Sequence, residues 1–445
     1  MTAKPAGDEG LVRVIGTRAL TLACINMIVG ASIFVLPASI AGDLGTAALV
    51  AYGVCAVILL LVGLCFAEAG SRVSASGGTY AYIERAFGPF VGFLASTFLW
   101  FASGVLASAS VSNAFVGTLG AAVPELGQGV PRALILAALY GALAFLQVRG
   151  VRGGVRFVEG VTTAKLLPLL LFLLVGALHV QPHNLAWPGA PAMDQVGRAV
   201  LLLFFAFQGI ENALTSSGEI VNPSRTVPRA ILLAIAAITV LYGGIQLVAQ
   251  GILGPELPIH AGAPLADAAG LAIGGWARVL LLVGAAVSMF GWVGGDLLAQ
   301  PRALFALGRD RLLPHALARV HPVYRTPHVA ILTYAALGFG FAVTGSFRTL
   351  ALIASGGALL LYLLACLAAV RLRRLGVTAD GQPLNLPGGT VIAALASIAI
   401  VWVLSSLSAA EFAALGLTVV VASAVYGWAR WRTPAGERRS RVLPD

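Results

Sequence analysis

Apolar runs of about twenty residues recur along the whole chain, and this recurrence constrains the fold more than any other feature. At 1.5 Å per residue, a helix of that length crosses the ~30 Å hydrocarbon layer of a bilayer. Only 10% of the 445 residues are charged, against about 25% in a soluble domain. A transmembrane β-barrel would read as alternating segments of about ten residues, half the length of the runs here. The chain therefore reads as an all-α polytopic membrane protein. Twelve spans are expected near 19–41, 46–70, 87–118, 132–149, 156–179, 196–218, 228–253, 276–300, 328–345, 349–371, 389–407 and 410–430. Turn-rich stretches such as VPELGQGVPR and HNLAWPGAPAMDQ divide them.

The net charge of +10 is a topology signal rather than a nucleic-acid footprint. If alternate connections are assigned to one side together with the N-terminus, that side collects all but five of the 28 Lys and Arg. Arg132, Arg198, Arg278 and Arg348 fall on the other side, and Lys165 falls inside a span. Cytoplasmic loops carry the excess of Lys and Arg, so both termini are expected in the cytoplasm and the protein in the inner membrane. A nucleic-acid binder would gather its charge into one patch. The first 18 residues lack the charged start, short apolar core and cleavage site of a signal peptide. Cys24, Cys55, Cys65 and Cys366 all sit in apolar runs, so no disulfide framework is implied. The tail RWRTPAGERRSRVLPD is basic and suited to anionic lipid.

Two spans are interrupted. The first carries Gly30, Ala31 and Ser32 in a row near its middle and then Pro37. Small residues there serve close helix packing, or they mark an opened turn, which hydrocarbon tolerates only where it lines a polar cavity. The sixth span, LLLFFAFQGIENALTSSGEIVNPSRTVPRAI, places Gln208, Gly209, Glu211 and Asn212 inside its apolar run. Broken helices at corresponding places in two halves are the best sequence pointer to a transporter site at the bilayer midplane.

These residues resemble the amino acid–polyamine–organocation superfamily of transporters. Gly30-Ala31-Ser32-Ile33-Phe34 is similar to its first-span G-S-G-I-F. Phe204 to Glu211, followed by Glu219, Asn222-Pro223, Arg225, Pro228 and Ala230, is similar to its sixth-span motif. SASGGTYAYIERAFGP and DLLAQPRALFALGRDRLLP match two further motifs, and the four lie in order between residues 29 and 314. The resemblance implies a leucine-transporter-type fold of two five-helix inverted repeats, residues 19–180 and 194–371, with helices 1 and 6 broken. Helices 11 and 12 follow at 389–430, between a cytoplasmic segment 1–18 and a tail 431–445. It implies that the backbone N–H groups of Ala31, Ser32 and Ile33, beside Gly30, meet a substrate carboxylate, and that the carbonyls of Ile28 and Phe204 to Ala206 meet its ammonium. Ser32 stands where the family usually has glycine.

The remaining site candidates are charges and aromatics inside spans. Lys165 lies roughly 12–15 Å into span 5, where a lysine either snorkels or is functional. The resemblance to sodium-independent members implies that its ammonium takes the place of a cation between helices 1 and 8, at the carbonyls of Asn26 and Val29 and at Ser288. That would make Lys165 the proton-coupling group. Glu211 is either a structural hydrogen-bonding group or a second proton site. Asp296 either favours a cationic substrate side chain or pairs within the protein. Phe205 and Phe207 flank the second break, where Phe205 is either packing or a lid over substrate. Glu68, Glu84, Glu219, Arg225 and Asp310, at cytoplasmic helix ends, suggest an inner ion-pair network.

The rival classes lack their signatures. All six histidines fall outside the apolar cores, no H-E-x-x-H occurs, and there is no ATP-binding motif. Neither an enzyme nor a bound cofactor or metal is expected. The expected partners are a small-molecule substrate, protons and the lipid bilayer. AAVPELGQGVPR has no cysteine to join a heavy subunit. Secondary transport of amino acids is the reading, with exchange of cationic amino acids or polyamines as the alternative.

Overall fold

A backbone N–H or C=O facing hydrocarbon has no water to bond, so spanning segments must satisfy themselves as helices, and the described elements are nearly all helical. The computed structural model describes residues 15–30, 32–73, 79–150, 154–187, 189–213, 220–378 and 383–432, with side chains except at 154–164, 212, 213 and 223. Ala31 and Glu219, named above, lie outside the described residues, as does part of the loop motif after span 2. The helices are α1 (Thr17–Ile28), α2 (Leu36–Leu44), α3 (Ala48–Arg72), α4 (Thr79–Phe87), α5 (Pro89–Thr97), α6 (Ala107–Ala122), α7 (Gly129–Arg149), α8 (Gly154–Gly176) and α9 (Met193–Phe207). They continue as α10 (Ile210–Ala213), α11 (Pro223–Leu253), α12 (Pro264–Ala272), α13 (Gly275–Ala299), α14 (Pro301–Arg309), α15 (His328–Thr344), α16 (Phe347–Arg374), α17 (Gly389–Leu404) and α18 (Ala409–Arg432). A π-helical stretch, Phe98–Leu106, joins α5 to α6.

Seven stretches are long and apolar enough to cross a membrane by length and composition, and four further apolar helices run 10–17 residues. The protein is a multi-pass helical membrane protein. Shortness has a local cause at both interrupted spans, where α1 ends at Ile28 and α9 ends at Phe207.

Small residues bring the helices together, because lipid tails offer no hydrophobic drive between them and close contact is the main source of attraction. α3 runs along α11. A Cβ on Gly63 would lie 2.6 Å from Ile235, and one on Gly70 would lie 3.3 Å from Val227. The hydroxyl of Tyr52 meets Gln246 further along the same seam, at 3.2 Å. Gly104, in the π-helical stretch, leaves room for the hydroxyl of Tyr334 on α15.

The four arginines expected on the poorer side are all tied down. Arg132 donates to the carbonyls of Ala342, Val343 and Gly345 and to Asn113. Arg198 forks onto Glu411 at 2.5 and 2.8 Å, Arg278 bonds Asp267 at 2.9 Å, and Arg348 grips both carboxylate oxygens of Asp43 at 2.8 and 2.6 Å. On the arginine-rich face, Glu68 of α3 is gripped by Arg373 of α16 at 2.6 and 3.0 Å, with Arg72 one turn away at 3.4 Å. Arg72 also bonds Asn385, and Ser71 accepts the N–H of Leu384, so the α16–α17 connection is fastened to the end of α3. The network expected around Glu68 thus draws in Arg373 and Arg72, while Asp310 pairs with its neighbour Arg309.

A candidate substrate site at two helix breaks

The first break follows Ile28. Val29 leaves helical geometry at φ −69°, ψ 81°, and Gly30 turns back to donate to the Ile28 carbonyl at 2.7 Å. A single 3-10 turn, Ser32–Phe34, then leads into α2, where Pro37 stands in the first turn and needs no N–H partner. Ser32 and Ile33 open that turn, and the first N–H groups of a helix have no acceptor within it. Both residues are buried. The second break is Gln208-Gly209, extended at Gln208 and at φ +133° at Gly209, before the short α10.

The breaks touch through their backbones. A Cβ on Gly209 would lie 2.8 Å from the carbonyl oxygen of Met27 and 3.2 Å from the nitrogen of Ile28. Tyr242 of α11 joins them, its hydroxyl 3.0 Å from the Ile28 oxygen and 3.4 Å from that of Ala206. Trp292 of α13 covers Gly30, where a Cβ would meet the indole at 3.0 Å. The carbonyls offered as ammonium acceptors already meet protein donors. Ile28 holds the N–H of Gly30 at 2.7 Å and the hydroxyl of Tyr242, which also lies 3.4 Å from the Ala206 oxygen, Phe204 holds the N–H of Gln208 at 3.0 Å, and Phe205 holds its side-chain amide at 3.5 Å. A carbonyl oxygen has two lone pairs, so a second donor fits Phe204, Phe205 and Ala206, whereas at Ile28 an ammonium would displace one of the two donors present.

Lys165 is buried, and its ammonium donates to the carbonyl of Asn26 at 2.7 Å, one turn before the first break. Ser288 of α13 donates to the carbonyl of Gly30 at 3.2 Å, and Val29 between them is fully buried. Both groups therefore hold the opened end of α1 from the side of α8 and α13. Glu211 is 1% exposed. One carboxylate oxygen accepts the N–H of Gly209 at 2.9 Å and the hydroxyl of Tyr362 at 2.6 Å. Its other oxygen, and the carbonyl oxygen of Gln208, are buried without a partner. Asp296 is half-buried on α13 and accepts the hydroxyl of Tyr334 on α15 at 2.6 Å. Its described partner thus lies on α15 and not at either break. Phe205 packs edge-on against Phe347 at 5.9 Å, Phe207 against Tyr242 at 5.0 Å, and Phe204 against Tyr362 at 6.4 Å.

Sequence reasoning missed Trp292, Tyr242 and Tyr362. The available signal was an aromatic with a polar tip inside an apolar run, since a buried Tyr or Trp usually finds a hydrogen-bond partner.

Two interrupted helices that touch through their backbones, with an ammonium and unpaired polar atoms beside them, have the arrangement that membrane transporters use to hold a substrate inside the bilayer. The comparisons give the chain's family. Residues 15–413 match the model of the amino acid permease family, and the chain belongs to that family. It is 28% identical over 398 residues to the branched-chain amino acid permease BcaP of Bacillus subtilis, covering 84% of each chain. It is 31% identical over 335 residues to the serine/threonine exchanger SteT of the same organism, covering 73% of this chain and 75% of that one. It is 27% identical over 437 residues to the methylthioribose transporter of the same organism, covering 94% of each.

Proposed function

We propose that this chain carries neutral amino acids across the cytoplasmic membrane by alternating access, coupled to protons through Lys165. The observation that carries the reading is the joint placement of the two breaks, Tyr242 and the Lys165–Asn26 bond. A zwitterion brings two opposite charges into a low-dielectric site, and each end needs a matching dipole. The opened turn at Gly30, Ala31, Ser32 and Ile33 offers N–H groups to the carboxylate, and the ends of α1 and α9 offer carbonyls to the ammonium. Phe205, Phe207 and Gln208 line the approach, and Glu211 braces the second break.

Lys165 couples because its ammonium and a neutral amine hold Asn26 differently. The charged form is a stronger donor, so loss of the proton loosens the end of α1 from α8. Ser288 and Val29 complete that junction. A neutral substrate follows from the carboxylates, since Glu211 and Asp296 are both engaged by protein donors. The reading includes twelve spans, two inverted repeats at 19–180 and 194–371, and the arginine-rich face in the cytoplasm.

The test is uptake by purified protein in proteoliposomes, with a panel of neutral and cationic amino acids and with or without an inwardly acidifying pH gradient. Accumulation of a neutral amino acid driven by the gradient, and its loss in Lys165→Ala, is the expected result. Full uptake by Lys165→Ala with unchanged pH dependence would refute the coupling. Uptake of cationic amino acids alone would refute the substrate class.

A further inference from the structure

The longest described helix, α11, carries three polar residues one turn apart on the side facing the protein interior, namely Tyr242, Gln246 and Gln250. Residues at i and i+4 on a helix are neighbours, so the three form one row. Tyr242 ends the row at the helix breaks, with its hydroxyl on the carbonyls of Ile28 and Ala206. Gln250 ends it at the arginine-poor face, where its amide nitrogen donates to the carbonyl of Gly254 at 2.9 Å. Gln246 lies between, accepting the hydroxyl of Tyr52 at 3.2 Å.

The row is incomplete in one place. The amide nitrogen of Gln246 and the side-chain oxygen of Gln250 are both buried with no hydrogen-bond partner. Gln246 is 0% exposed and Gln250 3%. The first is a donor and the second an acceptor. The Gln250 amide cannot simply be turned over, because its nitrogen is fixed by the Gly254 carbonyl. The partner helix presents a small side chain at this level. The contacts Tyr52–Gln246, Gly63–Ile235 and Gly70–Val227 set α3 antiparallel to α11, so one turn beyond Tyr52 the residue opposite Gln250 is Ala48. A methyl group stands there where a phenol stands opposite Gln246. Ala48 and Ala51 are both buried, at 1% and 0% exposure.

We propose that a water molecule is bound between Gln246 and Gln250, accepting from the Gln246 amide and donating to the Gln250 oxygen. Buried waters in proteins sit where polar atoms are otherwise unsatisfied, and they need two to four such partners. One water satisfies both orphans with the correct polarity. It also makes the row continuous from the Gly254 carbonyl through Gln250, the water and Gln246 to Tyr52. A hydrated polar seam thus runs inside the α3–α11 contact toward the residue that clasps both breaks. The inference holds whatever the substrate is.

Two measurements test it. In X-ray radiolytic footprinting of the wild-type protein, a bound water yields hydroxyl radicals beside buried side chains. Tyr52 should then be oxidised about as fast as the exposed Tyr324, and far faster than the fully buried Phe172. In a double-mutant cycle, Gln246→Leu and Gln250→Leu should each lower the melting temperature, and the pair together by clearly less than the sum. Removing one glutamine strands the other's end of the water bridge and removing both does not, whereas the lost bonds to Tyr52 and Gly254 are common to single and double variants and cancel in the cycle. Oxidation of Tyr52 no faster than of Phe172, or strictly additive losses, would overturn the proposal. The footprinting uses no variant, so it stands even if a leucine substitution fails to fold.

Discussion

Position 209 accepts only glycine. Its φ of +133° is rarely adopted by residues with side chains, and an added Cβ would meet backbone atoms of Met27 and Ile28, which cannot swing aside. Gly209→Ala should therefore abolish uptake, and the conformational strain alone costs roughly 1–3 kcal/mol. Gly30→Ala makes a useful contrast, because its added Cβ would meet only the edge of the Trp292 ring, a side chain that can shift. That variant should fold and keep measurable uptake with a higher KM, since the ring covers the break. Equal loss in both variants, read by transport and thermal melting together, would remove the distinction between a backbone contact and a ring contact. Tyr242→Phe keeps the edge-on packing against Phe207 but deletes the hydroxyl shared by the two break carbonyls. At about 1 kcal/mol per net hydrogen bond, it should lower stability by about 1–2 kcal/mol in a denaturation series. A wild-type midpoint would show that the clasp carries no energy.

Among the elements, α16 ties the others at three depths. At one end Arg348 holds Asp43 of α2 and Phe347 packs on Phe205. In the middle Tyr362 holds Glu211 beside the second break, and at the far end Arg373 holds Glu68 of α3. Both end clamps are formed in the same structure. Glu68→Gln should release the arginine-rich end. Cys65 lies beside that clamp and is 2% exposed, so a thiol reagent should reach it about tenfold faster or more. Removing one partner of a buried pair costs several kcal/mol, and each 1.4 kcal/mol is tenfold. Arg348→Gln should leave that rate unchanged, and equal acceleration by both would mean that the two ends are not separate gates. The breaks in α1 and α9 were legible because Gly30 and Gly209 with Gln208 weaken a helix locally, within a few residues. The clamp at Glu68 was legible only in part, because its place in an inner ion-pair network was readable from its position at a helix end, but Arg373 is distant in sequence and only packing brings the two together. Asp296 shows the same limit: its depth in a span was readable, but the choice of Tyr334 as partner depends on which way α13 faces.

At the scale of the whole molecule, the four arginines expected on the side poorer in charge are tethered, and so are Arg72, Arg309 and Arg373 among the many expected on the other side. Each of the four arginines on the poorer face has a carboxylate or a ring of carbonyls within hydrogen-bond range. An arginine whose charge is answered locally takes little part in a loop's bias toward the cytoplasm, which the excess of Lys and Arg on the other face then sets. That asymmetry is an expectation from the order of spans and charges alone, whereas the tethers needed the packed structure. The orientation makes a prediction that fusion reporters can check. A reporter active only in the cytoplasm should work when fused after Arg432 or inserted at Gly376, and fail when inserted at Gln128, in the loop between α6 and α7. Glu411→Gln adds a second arm. It takes the charge and one of the two acceptor oxygens from Arg198, leaving one amide oxygen and the Ser406 carbonyl, and should destabilise the fold by roughly 1–3 kcal/mol, the range for a lost hydrogen bond to a charged group. Its reporter pattern should stay unchanged, because the excess on the opposite face still sets the bias. Activity of the Gln128 insertion, or inversion of the pattern by Glu411→Gln alone, would show that orientation rests on something other than that excess.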